Sequence, residues 1–301
     1  MDGLSKSNRA SVDRAHRCPL TLRRGIRTSN AATVREPMQE AIIARTWETL
    51  RREARDAAEH EPFLAPVLDA HILGRPGLGE ALAHLLANRL RDQLSPHEAV
   101  ADLVRTCLSQ APSLLFAACQ DLHAYYGRDA ACTNRLHPFL FYKGFIATQG
   151  YRVMNRLWHS GSFGTARWIQ NRVSEVFGVD IHPAATIGTG LIIDHGTGVV
   201  IGETAVIEDD VSIMQNVTLG GTGKDEGLRH PIIRRGVLIS AGSIILGRIE
   251  IGVGAKIGAG SVVLRPVPPH RTAVGAPAAL VGTPRESLPA HKMDHDFIKD
   301  M

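Results

Sequence analysis

Residues 181–219 read IHPAATIGTGLIIDHGTGVVIGETAVIEDDVSIMQNVTL, and residues 233–263 read IRRGVLISAGSIILGRIEIGVGAKIGAGSVV. An aliphatic residue returns at nearly every sixth position: Ile187 and Ile193; then Ile201, Ile207, Ile213 and Leu219; then Ile233, Ile239, Ile245, Ile251, Ile257 and Val263. A period of six matches neither an amphipathic helix, with its repeat of about 3.6, nor a simple alternating strand. It matches a solenoid of short parallel strands that turn a corner after each hexapeptide, so the C-terminal half is read as a coiled β-prism. Four positions after these residues runs a smaller series, Ala205, Val211, Val217, Val237, Ser243, Ile249, Ala255 and Ser261. Glycine often follows the first aliphatic, at Gly188, Gly202, Gly252 and Gly258, as at a corner that is crowded or needs positive φ.

The rhythm slips twice. Eight residues separate Ile193 from Ile201, around Asp194-His195-Gly196-Thr197-Gly198, and fourteen separate Leu219 from Ile233, around the loop 220–232. Such interruptions add nothing to a solenoid core, and loops held on a rigid scaffold are where binding and catalysis concentrate. Both contain histidine: His195 in the first, His230 in the second.

The segments around these slips carry a resemblance. Val179-Asp180-Ile181-His182-Pro183, Asp194-His195, Gly202-Glu203-Thr204-Ala205, Val217-Thr218-Leu219-Gly220-Gly221-Thr222-Gly223-Lys224, Arg229-His230-Pro231 and Gly254-Ala255-Lys256-Ile257-Gly258-Ala259-Gly260 are similar to serine O-acetyltransferases of the hexapeptide-repeat acyltransferase family. The similarity runs from about Asp180 to Gly282, with weaker matches at Tyr142-Lys143-Gly144-Phe145 and Arg128-Asp129. It implies an α+β multidomain chain, an N-terminal α-helical domain followed by a left-handed parallel β-helix, with the helical part joining trimers into a dimer of trimers. It also implies transfer of an acetyl group from acetyl-CoA to L-serine, with L-cysteine as feedback inhibitor and no metal.

Length and composition fit such a chain. The 301 residues, 44% hydrophobic, suffice for two core-bearing units. No apolar run approaches the roughly 20 residues of a membrane span. Cys18, Cys107, Cys119 and Cys132 lack Cys-x-x-Cys spacing and read as reduced thiols of an intracellular protein. The formal charge of +4 is concentrated at the front: residues 1–37 hold eight Lys/Arg and three Asp/Glu, +5, which leaves −1 for the rest. A near-neutral body gives nucleic acid no phosphate-tracking surface. The expected organisation is a basic, disordered extension 1–37, a helical domain 38–178, a β-helix 179–285 and a tail 286–301. The extension is either a targeting leader or a segment upstream of a start at Met38, and the expected location is the cytoplasm, an organelle being the alternative.

Helical spacing is clear from about Glu40 to Val173. Ile42, Ile43, Thr46, Trp47 and Leu50 form one stripe, Leu78, Leu82, Leu85, Leu86 and Leu90 another, and Ser95-Pro96-His97-Glu98 reads as a capped helix start.

A serine hydroxyl is a poor nucleophile at neutral pH, so a base must take its proton as the oxygen attacks the thioester. His195 is the expected base. Asp180, fifteen residues earlier and so close to one coil below, is the expected orienting carboxylate, the role the resemblance also implies. Asp194 is given the substrate ammonium, because adjacent side chains of an extended chain point to opposite faces. Arg229 supplies a planar fork for the substrate carboxylate and His230 a further donor; by resemblance, Asp129 joins Asp194 at the ammonium. Gly220, Gly221, Thr222, Ala241, Gly242, Lys256 and Ala259 are expected to wall the CoA groove, as in the similar enzymes. No serine stands beside a base motif as a covalent carrier, which favours direct transfer in a ternary complex. Competing readings are a hexapeptide acetyltransferase for sugars or antibiotics, and a zinc-dependent hydratase using His182, His195 and His230. The tail, ending Ile298-Lys299-Asp300-Met301, lacks the terminal isoleucine with which such enzymes commonly engage O-acetylserine sulfhydrylase, so that partnership is expected to be weak or absent.

Overall fold

The computed structural model describes residues 29–223 and 226–300. The expected extension falls mostly outside the described residues, as does Cys18. Within them, helix α1 (Ser29–His60) already begins ahead of Met38. Seven further α-helices follow: α2 (Ala65–Leu68), α3 (Leu78–Leu90), α4 (His97–Gln110), α5 (Ser113–Arg128), α6 (Leu136–Phe141), α7 (Lys143–His159) and α8 (Phe163–Phe177). Both apolar stripes point inward: Leu50 is fully buried, as are Leu82, Leu85, Leu86 and Leu90 of α3, while Ile42, Ile43 and Trp47 pack on the core from its edge. The start of α4 differs from expectation. Ser95 makes no cap bond there; Asp92 holds the turn instead, its carboxylate accepting the N–H groups of Leu94 and Ser95 at 2.9 and 2.7 Å.

After Gly178, which ends α8 in the left-handed region at φ 67°, the chain enters the coil. Its strands as far as Val263 are two to three residues long and form three parallel ladders. The first face holds β1 (Val179–Ile181), β4 (Val199–Ile201), β7 (Thr218–Gly220), β10 (Ile244–Leu246) and β13 (Val262–Val263). The second holds β2 (Thr186–Ile187), β5 (Val206–Ile207), β8 (Ile232–Ile233) and β11 (Glu250–Ile251). The third holds β3 (Ile192–Ile193), β6 (Ser212–Ile213), β9 (Leu238–Ile239) and β12 (Lys256–Ile257), continued by β14 (Thr272–Gly275) and its antiparallel partner β15 (Ala278–Gly282).

The six-residue series becomes columns stacked through the prism. Ile201 pairs in register with Leu219, which pairs with Ile245, and all three are buried; Ile187, in the first coil, is only partly so. The corner glycines answer to crowding. None of Gly188, Gly202, Gly252 and Gly258 has a positive φ, and a Cβ on Gly258 would stand 2.1 Å from Val274 Cγ1.

A first coil leaves an open edge of unpaired backbone groups, which a protein must cover. Helices α5 and α7 cover it with side chains. Tyr151 Oη donates to Ala185 O at 2.5 Å, Asn155 Nδ2 to Pro183 O at 2.7 Å, Arg152 Nη2 to Gly188 O at 2.8 Å and Arg128 Nη1 to Gly190 O at 3.0 Å. Asp121 accepts the Leu191 N–H at 3.0 Å, and its fully buried carboxylate is paired with Arg152 at 2.7 Å. The helical layer is thus the floor of the solenoid, and it places α5 beside the first rhythm break.

Candidate active site

The break at 194–198 is the corner between β3 and β4. His195 adopts φ 57°, and the turn is tied by Gly196 N to Asp194 O at 2.6 Å and Thr197 N to His195 O at 2.9 Å. The imidazole projects outward, its side chain 72% exposed, with Nε2 3.9 Å from Asp194 Oδ2. The extended-chain argument for Asp194 fails here, because a left-handed residue brings neighbouring side chains back toward each other. Asp180, on the outward side of β1, receives Gln170 Nε2 at 2.7 Å, and among the described residues no hydrogen bond joins it to His195. The expected base and its orienting carboxylate are therefore apart in this conformation.

A cavity of about 430 Å³ opens at this corner, lined by Tyr125, Asp129, Tyr142, Lys143, Asp194 and His195. Asp129 arrives from the C-terminal end of α5, where its Oδ1 accepts the Ala131 N–H at 2.8 Å. Two carboxylates thus face one pocket. Burial holds the Asp194 carboxyl above its usual range, His195 pulls it down, and the charge of Asp129 pushes it further up. A cation entering here relieves both desolvation and repulsion.

The second break forms the corner after β7. His230 is buried at 7% exposure against Gly202, directly after β4. Its Nδ1 accepts the Thr204 N–H at 3.1 Å and lies 2.9 Å from Thr204 Oγ1, which leaves Nε2 as the protonated, donating nitrogen of the neutral ring. Burial, with help from Arg229, lowers its pKa and keeps it neutral. Arg229 bonds Glu203 Oε2 at 2.6 Å, and Thr204 Oγ1 accepts the N–H groups of both Arg229 and His230, at 3.0 and 3.1 Å. Thr204 organises this corner, a role that the sequence reading missed.

His195 precedes β4 and His230 packs at its end, so within one chain the two sit a strand length apart, roughly 10 Å or more for three residues at ~3.3 Å rise. The groove residues divide likewise. Ala241, Gly242 and Ala259 climb the corner column above His195, where Gly242 N donates to Gln215 O at 3.0 Å and Gly260 N to Ala241 O at 2.8 Å. Gly220, Gly221 and Thr222 lie at the His230 corner, Gly220 O accepting Gly247 N at 3.0 Å. Lys256 departs from expectation. It is 1% exposed beneath the tail, its Nζ 2.9 Å from Asp300 and 4.7 Å from the Phe297 ring centre, so its charge is engaged there and is not free at a groove. His182, at the end of β1, lies 5.3 Å from the Trp158 ring, and among the described residues no three His, Cys, Asp or Glu side chains of the chain converge as metal ligands.

The family model described as serine acetyltransferase, N-terminal, matches residues 46–150. The serine acetyltransferase of Salmonella typhimurium is 51% identical over 261 residues, 87% of this chain and 95% of that protein. The chain belongs to the serine acetyltransferase family. Its coil is the left-handed β-helix of that family, an exception to the right-handed rule for parallel crossovers. The crystal structure of serine acetyltransferase from Vibrio cholerae superposes with a TM-score of 0.83 at 51% identity, covering 84% of this chain and 98% of that one. A serine acetyltransferase complex with cysteine follows at TM-score 0.82 and 46% identity, covering 84% and 98%. A soybean serine acetyltransferase was solved with serine (TM-score 0.78, 50% identity, 80% and 98% covered), and another serine acetyltransferase with CoA (0.77, 47%, 79% and 100%).

Proposed function

We propose that the chain is a serine O-acetyltransferase, moving the acetyl group of acetyl-CoA to the L-serine hydroxyl to give O-acetyl-L-serine and CoA, and that its working site is shared between neighbouring chains. The observation that carries the shared site is the separation of His195 and His230 by the length of β4. A substrate of serine's size cannot span both corners of one chain. Side-by-side packing of prisms in a homotrimer brings the His195 corner of one subunit to the His230 corner of the next; two trimers joined through their helical layers form the dimer of trimers.

In this reading the serine ammonium enters the cavity between Asp129 and Asp194, and the carboxylate meets Arg229 and His230 Nε2 of the neighbour. His195 turns inward onto Asp180, whose free oxygen orients the ring while Gln170 holds the other. The base takes the hydroxyl proton as the oxygen attacks the thioester carbonyl; the C–S bond breaks, and the proton passes to the departing sulfur. The pantetheine arm runs between the Ala241, Gly242 and Ala259 column and the neighbour's Gly220, Gly221 and Thr222. L-Cysteine keeps both charged ends of serine and occupies the same pocket as an inhibitor.

No helix among the described residues is long and apolar enough to cross a membrane. Cys107, Cys119 and Cys132 are unbridged, as suits a cytoplasmic setting. The tail is occupied with its own solenoid through Asp300 and Lys256, so a complex with O-acetylserine sulfhydrylase is weak or absent; a submicromolar affinity by calorimetry contradicts this.

The reaction is tested by CoA release from acetyl-CoA with L-serine, with a sugar acceptor as control. Serine-dependent turnover that falls at least ~100-fold in His195→Ala supports both reaction and base. Turnover with the sugar alone transfers the activity to another acceptor class.

A further inference from the structure

We propose that Tyr125 is a positioning residue for the catalytic corner, setting the height of Asp194 and His195 from within the helical layer; the inference rests on the serine acetyltransferase reading above. On the third face one of the bonds that hold each coil to the next recurs at the same place: Asp194 N to Ile213 O at 2.8 Å, Met214 N to Ile239 O at 3.0 Å and Ser240 N to Ile257 O at 3.0 Å. Ile193 is the equivalent carbonyl of the first coil and has no coil before it, since β3 is the edge strand. Tyr125 stands in that place. Its hydroxyl donates to Ile193 O at 2.8 Å and accepts from Ile193 N at 3.0 Å, so one side-chain oxygen holds both backbone groups of one residue.

The next residue is Asp194 and the one after is His195, already at φ 57°. Any movement of Ile193 therefore passes directly to the ammonium-binding carboxylate and the base. Gly144 closes the clamp from α7: a Cβ there would lie 1.8 Å from Ile193 O and 2.9 Å from the Tyr125 hydroxyl. Asp121, one turn earlier on α5, accepts the Leu191 N–H, so the strand is also held two residues before Ile193. Burial pushes the Tyr125 hydroxyl well above its usual range, so it stays protonated and keeps its donor. Because Asp129 directly follows α5 and lines the same cavity as Tyr125, the helix that leads to one carboxylate of the site also fixes the strand that leads to the other.

Tyr151 is an internal control. It is 2% exposed against 1% for Tyr125, and its hydroxyl likewise donates to a first-coil carbonyl, Ala185 O, but at a corner remote from His195. Tyr125→Phe and Tyr151→Phe in the full chain should lower the melting temperature comparably. Only Tyr125→Phe should lower kcat for serine-dependent CoA release, by about 10- to 100-fold, with the acetyl-CoA KM within about twofold of wild type. The ring contacts to Tyr142 and Phe145, at 5.9 and 6.2 Å between centres, are kept in Tyr125→Phe and preserve the core. Hydrogen exchange gives a reading independent of turnover: amides 191–197 lose protection in Tyr125→Phe while those of β5 and β6 keep theirs. Wild-type kcat in Tyr125→Phe, equal kcat loss in both variants, or a uniform loss of protection overturns the proposal. A wild-type protein with no serine-dependent turnover refutes the functional reading instead, and the exchange comparison still judges the clamp.

Discussion

The imidazole of His230 occupies the space that a side chain on Gly202 would need. A Cβ at that glycine would stand 2.0 Å from both Cδ2 and Nε2 of the ring. The end of β4 and the second histidine corner are therefore one packed unit, in which Thr204 fixes the ring from the other side.

Gly202→Ala should expel that ring from its seat. The expected result is a folded protein, destabilised by about 1–3 kcal/mol as for overpacking, with serine turnover reduced at least as strongly as in His230→Ala. Thermal unfolding and steady-state kinetics of the two variants check this; an active Gly202→Ala removes His230 from its assigned place.

Asp129 and Asp194 are expected to act on the amino end of the substrate only. Asp129→Asn, which keeps the shape and removes one charge, should raise the serine KM by about 10-fold or more, in the range for a charge-assisted hydrogen bond, with the acetyl-CoA KM unchanged. Initial-rate measurements with each substrate varied decide it.

Much of this was legible in advance because it rests on periodic burial. Ile207, Ile213, Ile233, Ile239, Ile251 and Ile257 are buried as a six-residue repeat demands, and both breaks in the repeat fall at corners of the prism, between β3 and β4 and between β7 and β8. What could not be read depends on contacts between distant segments. The burial of Lys256 depends on Asp300 folding back on it, and the corner backbone at His195 left the extended geometry from which the place of Asp194 was argued. The place of Tyr125 likewise depends on a distant segment, the open edge of the first coil that its hydroxyl meets at Ile193.

The helical layer carries a pH-sensitive cluster. His71, His84 and His97 pack with their rings tilted or edge-on, centres 5.0 and 4.5 Å apart, and burial lowers the pKa of His71 and His84 from 6.5 to about 4. His71 and His84 are neutral in the fold, whereas in the unfolded chain they take up protons near 6.5. The stability they contribute is complete above pH 6.5 and is lost as pH falls from there toward 4. Melting temperatures measured between pH 7.5 and 5 should fall, and the fall should be shallower in the double variant His71→Leu/His84→Leu.

Lys256 and Asp300 form a buried pair, with Thr272 Oγ1 also donating to Asp300 at 3.0 Å. Asp300→Ala leaves a buried ammonium without its main partner, a loss of about 3–5 kcal/mol if the tail stayed in place. The tail should release instead. Limited proteolysis is expected to cut within residues 286–301 faster in this variant, with the melting temperature of the body little changed.

The division of the site between two chains is tested most directly by mixing. His195→Ala and His230→Ala, each nearly inactive alone, are unfolded together in equal amounts, refolded, and assayed for serine-dependent CoA release. If each site takes His195 from one subunit and His230 from the next, random trimers regain about a quarter of wild-type sites, as the heterologous contact of a ring requires. Activity no higher than the mean of the two variants would place both histidines in one chain's site and contradict the account.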